Sequence, residues 1–573
     1  MIELHPVDWF IIIWYLLVCT FVGLYYSKVA SKRMEEYFVA GRSLPWWITG
    51  TSMVATTFAA DTPLAVTALT AQHGIAGNWF WWSFMFGGML TAIFYAKLWR
   101  RSEVLTDMEF AELRYSGKPA AALRGFRSLY TGIFINAIIM GWVMLAMAKI
   151  FSVVLGWPTV SSTILAAVIA LAYTLLAGLW GVTMTDVVQF ILAMLGCVVL
   201  AVFALAHVGW IDGLHAGLVS TYGQARTSEI LSFAPSLTSI WMPFAMFLTY
   251  LTLNWYSSWY PGAEPGGGGY IAQRMLSCKT EKDSKLSMIW FTFAHYVLRP
   301  WPWIIVALVS MVVWPNLADP ELGYPLAMGT FLPVGLRGLI IAAFLAAFMS
   351  TMSTQINWGS SYIVRDFYQR FIKKDAPPKH YVNVARGVSA LQLGLAILIS
   401  FVFPSVADAW KFLIVIGAGT GLVYLLRWFW WRVNAWSEIS AMCSAMVIGL
   451  SVTHLTSDWV IQMWVTFISV TSIWLAVTFL TKPEEERTLD HFYKKVHPGG
   501  FWNQVRARTG VKGDRITARD WIGWAVGCLF ILTGLMGTGY LVLGQFLTGV
   551  PLLATSIVSF VVLYTLIIKS NSE

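Results

Sequence analysis

Apolar residues along this chain fall into long runs separated by short charged or Gly/Pro-rich stretches. Each run is about 20 residues long, which lets a helix cross roughly 30 Å of hydrocarbon. Reading the runs between breaks predicts an all-α, polytopic membrane protein with about fifteen transmembrane helices. Their centres lie near residues 18, 58, 89, 137, 170, 197, 249, 301, 348, 393, 420, 446, 469, 532 and 560. The first run, Trp9 to Tyr26, has neither a basic leader region nor a small-residue cleavage site, so it reads as a retained helix.

Composition agrees with this pattern. Of 573 residues, 58% are hydrophobic and 12% charged, with a mean hydropathy of +0.66. A soluble chain would carry about 25% charged residues. The net charge of +9 reads as topology and does not call for a nucleic-acid partner, because Lys and Arg collect in cytoplasmic loops. Lys28, Lys32 and Arg33 follow the first span, and Lys97, Arg100, Arg101, Arg114 and Lys118 the third. Arg274, Lys279, Lys282 and Lys285 follow the seventh, and Arg365, Arg370, Lys373, Lys374 and Lys379 the ninth. Loops 210–236, 316–333 and 545–549 are poor in both residues. Alternation then puts the N-terminus outside and the C-terminus in the cytoplasm, in an inner membrane. The five cysteines are scattered, without metal or disulfide spacing. Segment 481–519 is polar and too poor in aliphatics for a core of its own, so it reads as a cytoplasmic linker.

Polar groups at membrane depth are costly, and each one requires a reason. The second span contains Asp61, four threonines and Pro63. The proline ring excludes the hydrogen bond to the Ala59 carbonyl, and a helix broken there exposes backbone groups that suit ions and solutes. In the ninth span Ala347, Ser350, Thr351 and Thr354 share one helix face, with Ser353 on the adjoining flank. Hydroxyls and carbonyls are the ligands a hard cation takes, although small residues also let helices approach closely. Asp186, early in the sixth span, reads by itself as an interfacial acid near a helix N-terminus. The seventh span is interrupted at Asn254-Trp255-Tyr256-Ser257-Ser258-Trp259-Tyr260-Pro261-Gly262 and continues into four glycines. Two broken helices five spans apart are the mark of an inverted repeat. Asn254, Trp255 and Trp259 are candidate solute contacts; His295 and Arg299 follow in the eighth span. The chain contains no nucleophile elbow, HExxH motif or phosphate loop, so no enzyme activity is expected.

Several ordered motifs resemble those of the sodium:solute symporters, a family that includes bacterial proline, sialic acid and sugar carriers. They are Tyr37-Phe38-Val39-Ala40-Gly41-Arg42 with Leu44-Pro45-Trp46-Trp47, Thr185-Asp186 with Gln189, and Tyr270-Ile271-Ala272-Gln273-Arg274. Ser350-Thr351 to Asn357, Arg365-Asp366-Phe367-Tyr368 and Trp430-Trp431-Arg432-Val433-Asn434 continue the likeness, which runs from about residue 7 to about 480. The resemblance implies a core of two inverted five-helix repeats with extra flanking helices. The corresponding division is a flanking helix (1–30), repeat one (31–209), an extracellular loop (210–236), repeat two (237–433) and two flanking helices (434–480). The linker (481–519) and two C-terminal helices (520–573) complete it.

The resemblance also implies Na⁺ as the coupling ion, held by carbonyls of Ala55, Phe58 and Ala347 and hydroxyls of Ser350 and Thr351. A second sodium would use Asp186, Ser350, Ser353 and Thr354. A small polar solute (a sugar, an amino acid or another zwitterion) would bind near Thr57, Asp61, Thr62, Trp81, Asn254 and His295. The stretch from Asn254 to Gln273 is longer than the family pattern, and Asn78-Trp79-Phe80-Trp81-Trp82 places indoles where sugar carriers present polar side chains. Proton coupling through Asp61 or His295, and a solute-sensing receptor, are the alternative readings.

Overall fold

The computed structural model describes residues 4–30, 39–174, 179–240, 242–257 and 265–569. Among them the regular secondary structure is helical, apart from two isolated β-bridges. The principal helices are α1 (Pro6–Ala30), α2 (Trp46–Thr57), α3 (Asp61–His73), α4 (Phe84–Leu90), α5 (Ala96–Ser102), α6 (Gly117–Leu155), α7 (Thr159–Thr174) and α8 (Leu179–His207). They continue with α9 (Phe244–Thr252), α10 (Gly269–Ser277), α11 (Glu281–Val313), α12 (Leu336–Ile372), α13 (Pro378–Ile399), α14 (Val406–Gly417) and α15 (Gly421–Phe429). The last six are α16 (Ala435–Leu455), α17 (Trp459–Leu480), α18 (Glu486–Val496), α19 (Asn503–Thr509), α20 (Ala518–Val542) and α21 (Phe546–Leu563). Among the described residues nine helices are long and apolar enough to cross a membrane, or ten if the bent pair α14–α15 is one span. The centre near residue 18 lies on the 25-residue α1, and the other expected centres fall on shorter helices or on the breaks of interrupted ones.

Two of those interruptions decide the architecture. Helix α2 stops at Thr57, Phe58 turns out of helical geometry (φ −92°, ψ 82°), and α3 starts at Asp61. Pro63 therefore sits in the first turn of α3, where its missing N–H removes no helical bond. The seventh span divides in the same way: α9 ends at Thr252, a short turn covers Asn254–Tyr256, and α10 begins only at Gly269. Gly266 and Gly267 hold φ of +83° and +86°, and a Cβ on Gly266 would come within 2.8 Å of the Tyr95 ring. The Asp107 carboxylate then accepts the Gly269 N–H at 2.8 Å and the Tyr362 hydroxyl. The freed end of α10 is thereby capped from the loop after α5 and tied to α12.

Helix α2 packs among α8, α10, α11 and α12, while α3 lies against the second half of α11 and against α14 and α6. Flanking helix α1 packs on α12 and α8. Its Asp8 accepts the backbone N–H groups of Gly335 and Gly338 at 2.7 and 2.8 Å, capping α12. Gly338 is required there, because a Cβ would lie 2.6 Å from the Asp8 Cα.

The end of the bundle that carries the Lys- and Arg-rich loops is tied by buried charge. Glu438, at the start of α16, accepts from Arg127 of α6 at 3.1 Å, Arg427 of α15 at 3.3 Å and Tyr115 at 2.5 Å. All three charged side chains are buried. Arg114 is buried too, and does not lie in an exposed loop; it donates to the carbonyls of Arg427, Trp430 and Val433 and so caps the C-terminal end of α15. Segment 481–519 folds onto this end as the pair α18 and α19. Trp502 donates to the Trp428 carbonyl at 3.0 Å and Phe492 packs on Phe110 and Trp428. Asp514 pairs with Lys97 at 2.6 Å and Arg101 at 2.9 Å. Burial pushes the Asp514 carboxyl up, but those two cations outweigh it and hold the group below the ordinary carboxylate range. At the opposite end, Lys149 of α6 bridges Asp319 and Glu321 at 2.6 Å each, and Glu321 accepts the Ala407 N–H at the start of α14.

Glu438→Gln leaves two buried guanidiniums without their carboxylate and should lower stability by about 3–5 kcal/mol, read from denaturant unfolding in mixed micelles. Asp514→Asn should speed amide hydrogen exchange across 486–509 by about five- to tenfold at neutral pH. A depressed carboxyl contributes its stability above its unfolded pKa and loses it only as the pH falls through the lower folded value. Wild-type docking should therefore persist in mild acid and weaken only below about pH 4.

Candidate cation and solute site

The break in α2 has two chemically different sides. On the side of α8 and α12 the groups are oxygen donors. Ser350 donates to one Asp186 oxygen at 2.5 Å and Ser52 of α2 to the other at 2.6 Å. Thr351 donates to the Thr56 carbonyl at 2.9 Å, so α12 meets α2 one residue from the break. Ala55 and Phe58 are buried at the same turn, where the Phe58 N–H is shared between the carbonyls of Val54 (2.9 Å) and Ala55 (3.1 Å). Ala347 lies one turn earlier on α12 and is buried. Ser353 donates back to the Ser350 carbonyl at 3.1 Å, and the buried Thr354 hydroxyl has no hydrogen-bond partner among the described residues.

The structure thus brings Ser350 and Asp186 into contact, sets Thr351 against α2, and adds two groups that sequence reasoning missed. Ser52 is one, placed a helical turn before Ala55 and Thr56. The other is Arg274 of α10. Its side chain is fully buried, its Nη2 stands 3.8 Å from Asp186, and its Nε donates to the Ser52 hydroxyl at 3.2 Å. Counting it among the positive charges of a loop hid it. The signal available was its place in a short motif directly after a glycine run, one turn into a half-helix. Hydroxyls, backbone carbonyls and one carboxylate form a hard, oxygen-only donor set, which suits an alkali cation.

On the other side the groups are polar and aromatic together. Asp61 accepts from the Trp410 indole N–H and from the Thr62 hydroxyl, both at 3.3 Å. Thr62 also reaches the Thr57 carbonyl at 3.4 Å. The Thr57 hydroxyl lies 3.2 Å from His295 Nδ1, and Arg299 lies 2.9 Å from the same nitrogen. Trp81 packs edge-on to His295 at 5.7 Å and stacks on Tyr296 at 5.9 Å. Thr57, Asp61, Thr62, Trp81 and His295 therefore form one cluster. Asn254 joins it through the backbone: it donates to the Phe80 carbonyl at 2.5 Å, and the Phe80 ring stacks on Trp410. Two buried polar positions in this cluster, the acceptor Asn254 Oδ1 and the donor His295 Nε2–H, find no hydrogen-bond partner among the described residues. Trp255 packs against Phe86 of α4, and Trp259 lies outside the described residues. Trp410 was missed because one indole among 31 tryptophans has no distinguishing spacing.

A cleft of about 790 Å³ opens at the end of the bundle away from the basic loops. Gln72, His73, Tyr250, Asp408 and Trp459 are among its lining residues. Tyr250 and Trp459 touch Phe80 at 5.6 and 5.9 Å, and Phe80 covers Trp410 at 6.5 Å with the rings nearly parallel. Ring contacts thus run from the cleft wall through Phe80 and Trp410 to Asp61.

The chain is similar to the sodium/glucose cotransporter of Vibrio parahaemolyticus, 26% identical over 460 residues that cover 76% of this chain and 83% of that protein. It is also similar to the sodium/mannose cotransporter of Bos taurus, 24% identical over 482 residues covering 78% and 79%. Among solved structures, a Na⁺-coupled sialic acid symporter in a substrate-bound outward-open state shares the fold, with a TM-score of 0.66 and 20% identity over 84% of this chain and all of that one. The model of the sodium:solute symporter family matches residues 37–481, well over half of the sequence, and the chain belongs to that family.

Proposed function

We propose that this chain imports a small hydroxylated solute together with sodium by alternating access, as a multi-pass protein of the inner membrane with its C-terminus in the cytoplasm. The observation that carries the proposal is the meeting of the α12 hydroxyls with the open end of α2. Ser350 and Thr351 both spend their protons on acceptors, Asp186 and the Thr56 carbonyl. A hydroxyl that donates its proton in this way keeps its lone pairs for a cation. Those oxygens, with the carbonyls of Ala55, Phe58 and Ala347, make the sodium site. Asp186 with Ser350, Ser353 and Thr354 makes a second one, favoured by the carboxylate charge and by a Thr354 hydroxyl that has no partner among the described residues.

Solute binds across the break, against Asp61, Thr62, Asn254 and His295. These groups supply acceptors in Asp61 and Asn254 and a donor in His295, and indole faces surround them, a combination that suits a ring carrying several hydroxyls. The named relatives that transport glucose and mannose favour the same class. Sodium and solute bind to parts of one broken helix, so each tightens the other by the same factor. A potential of 100 mV adds about 2.3 kcal/mol for each charge carried inward. Phe80 and Trp410 would cover Asp61 on the side of the cleft, and Lys149 with Asp319 and Glu321 holds the loop beside it.

In proteoliposomes, Ser350→Ala combined with Thr351→Ala should lower sodium-driven uptake of radiolabelled D-glucose at least about tenfold, matching the loss of hydrogen-bonding and ligand oxygens. Uptake driven equally well by a pH gradient in sodium-free buffer would overturn the sodium assignment. Asp61→Asn should raise the KM for the same sugar by about tenfold or more and leave the half-saturating sodium concentration within about twofold.

A further inference from the structure

A half-helix that ends at mid-membrane has carbonyls that no further turn satisfies, and it has no water to meet them. Its C-terminal end also concentrates the negative pole of the helix dipole. In α2 the Thr56 carbonyl receives Thr351, and Phe58 N–H covers Val54 and Ala55. On the solute side the end is met by Arg299 of α11. Its Nη1 donates to the Val54 carbonyl at 3.2 Å and to the Thr57 hydroxyl at 3.0 Å, and its Nη2 donates to the Thr57 carbonyl at 3.1 Å. The guanidinium lies 5.3 Å from the Phe58 ring centre and 4.9 Å from that of Trp303, fully buried between them.

The local backbone is built to deliver it. Residues 294–298 form a π-turn, and the Arg299 N–H bonds to the Ala294 carbonyl five residues back at 3.3 Å. That extra residue, with Pro300 next in line, rotates His295 and Arg299 together onto α2. Such π-turns recur at functional positions.

The geometry points to Arg299 as a tethered cation. A charge covalently attached to α11 stands on the solute side of the break, where a mobile ion would otherwise neutralise the carbonyl end. By gripping Val54 and Thr57 it holds the turn that presents the Ala55 and Phe58 carbonyls to sodium on the opposite side. Mobile coupling ions are then confined to the α12 side. This inference rests on the sodium site proposed above. Arg299 is a positioning residue in that scheme, because it acts through α2.

The test is equilibrium ²²Na⁺ binding to the purified full-length protein. Arg299→Gln should raise the half-saturating sodium concentration about tenfold or more, as expected for losing charge-assisted hydrogen bonds. Low millimolar methylguanidinium should restore it toward the wild-type value, whereas potassium should not, and neither should alter the wild type. Unchanged sodium affinity in Arg299→Gln, or a loss that methylguanidinium leaves in place, would overturn the inference. If Arg299→Gln does not fold, Thr57→Val removes one acceptor and keeps the charge; it should raise the half-saturating concentration by about threefold or more, and no change would again overturn it. A wild type that binds no sodium would instead overturn the sodium reading itself.

Discussion

Every carbonyl and N–H group in the hydrocarbon layer must find a partner inside the protein, and the break in α2 puts several of them where a helix supplies none. Much of the surrounding structure answers that demand. Thr351 arrives from α12, Arg299 from α11 and Thr62 from the first turn of α3, each to one carbonyl or two. The second break is answered in the same way, by Asp107 on the first N–H of α10 and by glycines whose positive φ keeps the approach open to Tyr95 and Trp99. The partners come from different helices, so the breaks bind together elements that lie far apart in sequence.

The two sides of α2 divide the chemistry between them. Toward α8 and α12 stand hydroxyls, carbonyls and a carboxylate, and toward α11 and α14 stand indoles, an imidazole, a guanidinium and a second carboxylate. A cation and a hydroxylated ring ask for different surroundings, and a single unwound turn borders both. Under the proposed function, coupling between them would require no long pathway, because the same few peptide groups border each ligand.

The break itself was legible in the sequence, because Pro63 cannot continue a helix through Ala59 and Asp61 cannot face hydrocarbon. The hydroxyl stripe of α12 was legible too, since helical periodicity places Ser350, Thr351 and Thr354 on one face. Asp186 was ambiguous from its own surroundings, and only a motif shared with a known family separated it from an interfacial acid. Arg274 and Arg114 were misplaced for a physical reason. A positive charge near a helix end reads the same in sequence whether it reaches out to solvent or turns inward to carbonyls and carboxylates. Trp410 and Ser52 gave no periodic signal, because their importance lies in which helix they face.

The docked pair α18–α19 has a mechanical meaning. Through Asp514, Trp502 and Phe501 it holds the ends of α5 and α15, and Arg101 extends the hold to Glu281 at the start of α11. Three helices fixed at one end by a common piece can no longer tilt one by one, so they have a single hinge in place of three. Fewer independent motions at that end leave fewer arrangements in which one of the three helices has tilted without the others.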